Sequence, residues 1–184
     1  MPPPPRRDLR NLLLGPGSSA GVQELAAGVL YDLAFENADN QIAIAAAGAI
    51  PPLVQLLGPG SSSELQELAA GVLFDLAARD ADNQFTIAAA GAISSLVQLL
   101  GPGSSSDMHN YATGILITLA QNTGNQVTIA AAGAIPALVQ LLGSDSQAPL
   151  KGTAAGVLCH LAWNVDNQVM IAAAGAIPRL AATL

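Results

Sequence analysis

The sequence predicts an all-α solenoid of about four stacked three-helix repeats, the first and last incomplete, and three observations predict it. The phrase NQxxIAAAGAI begins at Asn40, Asn83, Asn125 and Asn167, at spacings of 43, 42 and 42 residues. A second phrase, LLGPGSS, returns at Leu13, Leu56 and Leu99, and as LLGSDS at Leu141. Between the phrases, apolar residues recur at helical spacing, and no segment reads as a strand. Two phrases locked in one register mark a stack of units, each contacting only its neighbours.

Each unit divides into three helices by its start and stop signals. Asp39-Asn40, Asp82-Asn83, Gly124-Asn125 and Asp166-Asn167 supply caps for a short first helix, which Gly48, Gly91, Gly133 and Gly175 end. Pro51, Pro136 and Pro178 then fall in the first turn of a second helix, where a missing N–H costs nothing; the second unit has Ser94 there. That helix runs through LVQLL to the Gly-Pro-Gly turn. Ser61 with Glu64, Ser144 with Gln147 and, more weakly, Ser104 with Asp107 have capping-box spacing for a third helix. In this longest helix, Leu65, Ala69, Val72, Leu73 and Leu76 form a stripe that faces the core. The abundant Ala and Gly let neighbouring layers pack closely.

The 184 residues suffice for one domain with a sizeable core. Apolar residues at 51% and charged ones at 10% exclude a disordered chain. With one cysteine, Cys159, no internal disulfide can form, which points to an intracellular setting, cytoplasmic or nuclear. No run reaches the roughly 18 apolar residues of a membrane span, so no membrane insertion is expected. The start, MPPPPRRDLRN, lacks the apolar region of a signal peptide. Residues 1–7 read as a Pro/Arg-rich disordered arm; Pro2, Pro5 and Arg7 match a short, common P-x-x-P-x-R pattern. From Asn11 onward 12 acids stand against 3 bases, a net charge of −9. An acidic body repels phosphate backbones, and scattered aromatics make no stacking platform, so nucleic acid is excluded as a partner.

Catalytic and metal chemistry find no constellation. His109 and His160 lie in different units, and Cys159 and His160 are adjacent on a helix, with side chains about 100° apart. A Cys–His dyad needs contact. GPGSSS lacks the lysine and the preceding strand of a phosphate-binding loop. The chain is read as no enzyme, with no cofactor and no metal.

The unit of about 42 residues carrying GAIPPLVQLL and LQELAAGVLFDLA resembles the armadillo-repeat family over residues 8 to 184. The resemblance implies a right-handed alpha-alpha superhelix whose third helices line a concave groove. Approximate units are 8–38, 39–81, 82–123, 124–165 and a partial C-terminal cap, 166–184. Aligned on the family's groove-facing positions, four lines of side chains emerge: Leu25, Gly28, Asp32, Phe35; Leu68, Gly71, Asp75, Ala78; Tyr111, Gly114, Thr118, Gln121; and Thr153, Gly156, His160, Trp163. Many armadillo grooves carry a Trp and an Asn ladder there. Here Gly28, Gly71, Gly114 and Gly156 stand for the Trp, and Asp32, Asp75, Thr118 and His160 for the Asn. An ionised Asp accepts hydrogen bonds but donates none, which argues against nuclear-import-type recognition.

The resemblance therefore implies a protein-interaction scaffold binding an extended peptide or a partner helix along the third-helix groove. The candidate groove residues are Asp32, Phe35, Asp75, Tyr111, Thr118, Gln121, His160 and Trp163. Acids toward the N-terminal repeats favour a basic ligand, and Tyr111, His160 and Trp163 an apolar one. The glycines between them are expected to widen or flatten the channel. Two alternatives stand beside this reading. One is a structural subunit docking through its ends or convex face in a larger assembly, with end-to-end self-association as one form; Leu12, Leu13, Leu14, Ile177, Leu180 and Leu184 are its end-contact candidates. The other is a consensus-like or engineered repeat protein with no native ligand.

Overall fold

The computed structural model describes residues 13–15, 17–78, 80–143 and 146–182. Among these residues there are twelve helices and no strand. Helix α1 (Ala20–Ala34) is the third helix of the first unit. Helices α2 (Ala38–Ala46), α3 (Ile50–Leu56) and α4 (Ser63–Ala77) form the second. The next unit holds α5 (Ala81–Ala89), α6 (Ala92–Leu99) and α7 (Ser106–Leu119), and the one after it α8 (Thr123–Ala131), α9 (Ala134–Leu141) and α10 (Ala148–Leu161). Helices α11 (Val165–Ala173) and α12 (Ala176–Ala181) are the first and second of a fifth. The third helices stack in series, α1 on α4, α4 on α7 and α7 on α10, giving an all-α superhelix.

One core runs the length of the stack. Leu53, Leu73, Leu96, Leu116 and Leu138 are fully buried, each worth about 1.5–3 kcal/mol relative to exposure. Alanines such as Ala27, Ala69, Ala112 and Ala154 are buried on successive third helices and keep those helices close. Gly48, Gly91, Gly133 and Gly175 have φ of 75°, 87°, 86° and 79°, the left-handed geometry that ends a first helix and turns the chain into the second.

The caps differ from the sequence expectation. The first helices are capped by Asn37, Asp80, Asn122 and Asn164, whose side chains accept from backbone N–H groups two or three residues on. The Asn-Gln pair of the repeated phrase looks backward instead. Asn40, Asn83, Asn125 and Asn167 donate through Nδ2 to the carbonyls of Leu33, Leu76, Leu119 and Leu161. Gln41, Gln84, Gln126 and Gln168 donate through Nε2 to those of Ala34, Ala77, Ala120 and Ala162. The first turn of each next unit thus adds side-chain donors to two of the last carbonyls of the third helix before it; those of Ala34, Leu119 and Leu161 also accept from the backbone N–H of Asn37, Asn122 and Asn164. Gln126→Ala, at a buried site, should cost about 1–3 kcal/mol by stranding the Ala120 carbonyl. Urea denaturation checks this; a change within error would assign the Ala120 cap to other groups.

On the third helices the caps are Ser62 and Ser105, one residue after the serines expected, accepting from the N–H of Leu65 and Met108. Each hydroxyl also donates backward, Ser62 to Glu24 at 2.9 Å and Ser105 to Glu67. Ser144 lies outside the described residues, and Gln147, at the N-cap of α10, makes no side-chain cap.

Candidate groove on the inner face

Helices α1, α4, α7 and α10 each carry a glycine followed three residues later by a larger side chain: Gly28-Tyr31, Gly71-Phe74, Gly114-Ile117 and Gly156-Cys159. The stack brings each such side chain over the glycine of the next unit. A Cβ on Gly71 would lie 2.7 Å from Tyr31 Cδ2, one on Gly114 2.8 Å from Phe74 Cδ2, and one on Gly156 3.6 Å from Ile117 Cγ1, with the outer atoms of all three side chains nearer still. Of the expectation that the glycines widen or flatten the channel, the widening is corrected at Gly71, Gly114 and Gly156, where a neighbour's side chain fills the vacancy. Nothing lies within 4 Å above Gly28, at the first unit.

Tyr31 and Tyr111 come from units two apart, yet their hydroxyls meet at 2.9 Å above Gly71. Phe74 leans on Tyr111 with ring centroids 6.0 Å apart and a 51° tilt. A solenoid unit ordinarily touches only its neighbours. The bare glycine is what lets the two tyrosines bridge across a whole unit. Beside this bridge lies a concavity of about 210 Å³ lined by Tyr31, Glu64, Glu67, Leu68, Asp107 and Tyr111. Glu64 and Asp107 come from the first turns of α4 and α7 and Glu67 from the second turn of α4, and the stacking of these helices brings them together. Burial, then the Tyr31 hydroxyl and its charge, then Asp107 and Asp75, push the Tyr111 phenol well above the ordinary tyrosine range.

The candidate positions divide between this bridge and the far end. Asp32 and Phe35 are exposed at the end of α1, and Asp75 is half-buried on α4. Burial, then the charge of Glu36, raise Asp75 above the ordinary carboxylate range, so a nearby cation would favour its ionised form. Thr118 donates to the Ile115 carbonyl at 2.8 Å, spending its hydroxyl proton within its own helix. Gln121 is exposed. Tyr111 does not join His160 and Trp163 in one aromatic stretch; it belongs to the acidic pocket. His160 and Trp163 form a separate edge-to-face pair, centroids 4.7 Å apart at 78°, and His160 Nδ1 is buried without a hydrogen-bond partner. Tyr31, Phe74, Ile117 and Glu67 were not singled out from sequence as groove residues, and Glu64 and Asp107 were read there only as capping-box partners. The glycine-plus-three spacing could have found the first three.

Of the end-contact candidates, Leu13 and Ile177 are exposed and Leu180 is half-buried. Leu14 is buried instead, held where its carbonyl accepts from Gln23 Nε2 at 3.2 Å. Leu12, Leu184 and the arm with Pro2, Pro5 and Arg7 lie outside the described residues. Among the described residues no group of three His, Cys, Asp or Glu could hold a metal ion, and no helix is long and apolar enough to cross a membrane.

The armadillo/beta-catenin-like repeat model matches residues 37–78 and 122–163. No curated protein matches. Among solved structures, an engineered protein is 30% identical, with a TM-score of 0.77, covering 94% of this chain and 71% of its own. A computationally designed armadillo repeat protein for modular peptide recognition is 27% identical, TM-score 0.81, covering 94% and 72%. Another designed armadillo repeat protein is 26% identical, TM-score 0.78, covering 94% and 72%. With three-helix units of matching period, stacked third helices and these likenesses, the chain belongs to the armadillo-repeat family.

Proposed function

We propose that this protein is a non-catalytic scaffold that binds an extended basic peptide along the inner face of its third helices. The acidic pocket beside the Tyr31–Tyr111 bridge carries the reading: three carboxylates, two phenol rings and a leucine line it, and none of its lining residues is basic. A Lys or Arg side chain offers that pocket an apolar stem and a cationic head that carboxylates and ring faces both attract. The half-buried Asp75 further along the same helix adds a second acceptor. The likeness to a designed protein for modular peptide recognition supports the same mode. A rigid stack spares the receptor an ordering cost, so small contacts from successive units add up.

Fluorescence anisotropy with a labelled octapeptide of alternating Lys and Arg tests this. The wild-type chain should bind it in a salt-sensitive manner, and Glu64→Gln with Asp107→Asn should weaken binding by about tenfold, roughly 1.4 kcal/mol. Glu67 is left in place because Ser105 already uses it. Absent binding, or binding that the double variant leaves unchanged, contradicts the assignment.

A further inference from the structure

We propose that the first helices α2, α5, α8 and α11 form a second interaction surface, which docks an amphipathic helix of a partner protein, apolar on one face and rich in Lys or Arg along its flanks. Each first helix turns one isoleucine into the core, Ile44, Ile87, Ile129 and Ile171, all buried. Two residues earlier, about 200° round the helix, stand Ile42, Phe85, Val127 and Val169, which are 62%, 73%, 54% and 69% exposed. The isoleucines already satisfy the stack, so folding does not ask for an apolar residue at the outward position. All four units nevertheless place one there, and its identity changes while its character does not. Because the position recurs at the same point of each stacked unit, the four side chains follow one another along the solenoid. A recurring series of large exposed apolar side chains marks an interaction surface, where a single one would mean nothing.

Charge identifies the occupant. Asp39, Asp82 and Asp166, all exposed, lie three residues before Ile42, Phe85 and Val169 and share their faces; in the unit of Val127 that place is held by Gly124. No Lys or Arg occurs on any of the four helices. Between α2 and α5 the surface dips into a concavity of about 360 Å³, apolar along Ile42, Ala45 and Pro51 and acidic at Asp80 and Asp82. A second copy of this chain would set these acids against each other, and an anionic lipid surface would be repelled, whereas a basic flank is attracted. The same surface selects a helix over an extended segment. The amides of Asn40, Gln41, Asn83 and Gln84 donate to third-helix carbonyls, and the hydroxyls of Thr86 and Thr128 to the carbonyls of Asp82 and Gly124. Little is left to hold a bare peptide backbone, and a helix satisfies its own. None of the residues lining this concavity borders the pocket beside Tyr31 and Tyr111, so failure here and failure of the peptide-binding reading are separate results.

Fluorescence anisotropy on the full chain tests this, with a labelled peptide of about five helical turns made of Leu and Lys alone, arranged to carry Leu on one face and Lys on its flanks. The wild type should bind it, and Ile42→Ser with Phe85→Ser should weaken binding by about tenfold or more. Both sites are exposed, and circular dichroism verifies that the variant stays helical. Asp39→Asn with Asp82→Asn should weaken binding and lessen its salt dependence; Asn37 and Asp80, which cap α2 and α5, are left in place. Glu64→Gln with Asp107→Asn should leave binding unchanged, and an excess of the Lys/Arg octapeptide, which has no apolar side chain, should not displace the probe. A scrambled Leu/Lys peptide that presents no apolar face should bind about tenfold more weakly. Loss of binding with the Glu64 and Asp107 pair, or displacement by the octapeptide, would put the probe on the inner face and overturn the proposal, as would binding that the Ile42 and Phe85 pair leaves unchanged. A wild type that self-associates through Phe85 in light scattering, or adheres through it to phosphatidylcholine vesicles, would also overturn it, since the occupant would then be another copy or a lipid surface.

Discussion

Leu116→Ala should lower the free energy of unfolding by about 2–5 kcal/mol, as a large-to-small change does at a site with no room to collapse. Leu116 sits in the last turn of α7 and is fully buried, with stacked third helices on both sides. In a stack whose stability is a sum of unit and neighbour terms, the loss weakens both joints of the third unit. Denaturant unfolding followed by circular dichroism measures it. Leu25→Ala, on the exposed face of α1, serves as the control and should change stability by no more than about 0.5 kcal/mol. Equal effects at the two positions would mean that the core does not run through α7 as described.

Gly114→Leu should cost about 1–3 kcal/mol, because the new side chain must enter space already held by the Phe74 ring. Gly114→Ala is a milder case, since the higher helix propensity of alanine, about 1 kcal/mol, offsets part of the crowding. The diagnostic quantity is the coupling. In Phe74→Ala the space above Gly114 is vacated, so adding Gly114→Leu there should be much less harmful than in the wild type. A double-mutant cycle with near-zero coupling would show that Phe74 and Gly114 do not share that space.

The fold was legible because each unit repeats its punctuation: Gly91 in the left-handed conformation, Pro136 in a first turn and Leu73 in a buried stripe are local signals with local causes. The role of the Asn-Gln pair was not local. Asn83 and Gln84 have the chemistry of a cap, but the carbonyls they cap end the helix before them, and only packing shows that. The same limit applied to the groove. Asp75 and Tyr111 could be placed on its face from helical phase, whereas the approach of Tyr31 to Tyr111 depends on how far the stack bends. Glu64 and Asp107 read from sequence as first-turn acids suited to a helix N-terminus. Their convergence in one pocket follows from the stacking of α4 and α7. Gly71 and Gly114 were visible as departures from the family's Trp ladder, but their filling by the preceding unit requires coordinates.

Backbone amide NMR of the full chain titrated with the Lys/Arg octapeptide most directly tests the claim that the inner face is the binding surface. The account predicts shifts concentrated in the first turns of α4 and α7 and around Tyr31, Leu68 and Tyr111, with the first helices α5 and α8 unmoved. Shifts centred on those first helices, or none at saturating peptide, would contradict it.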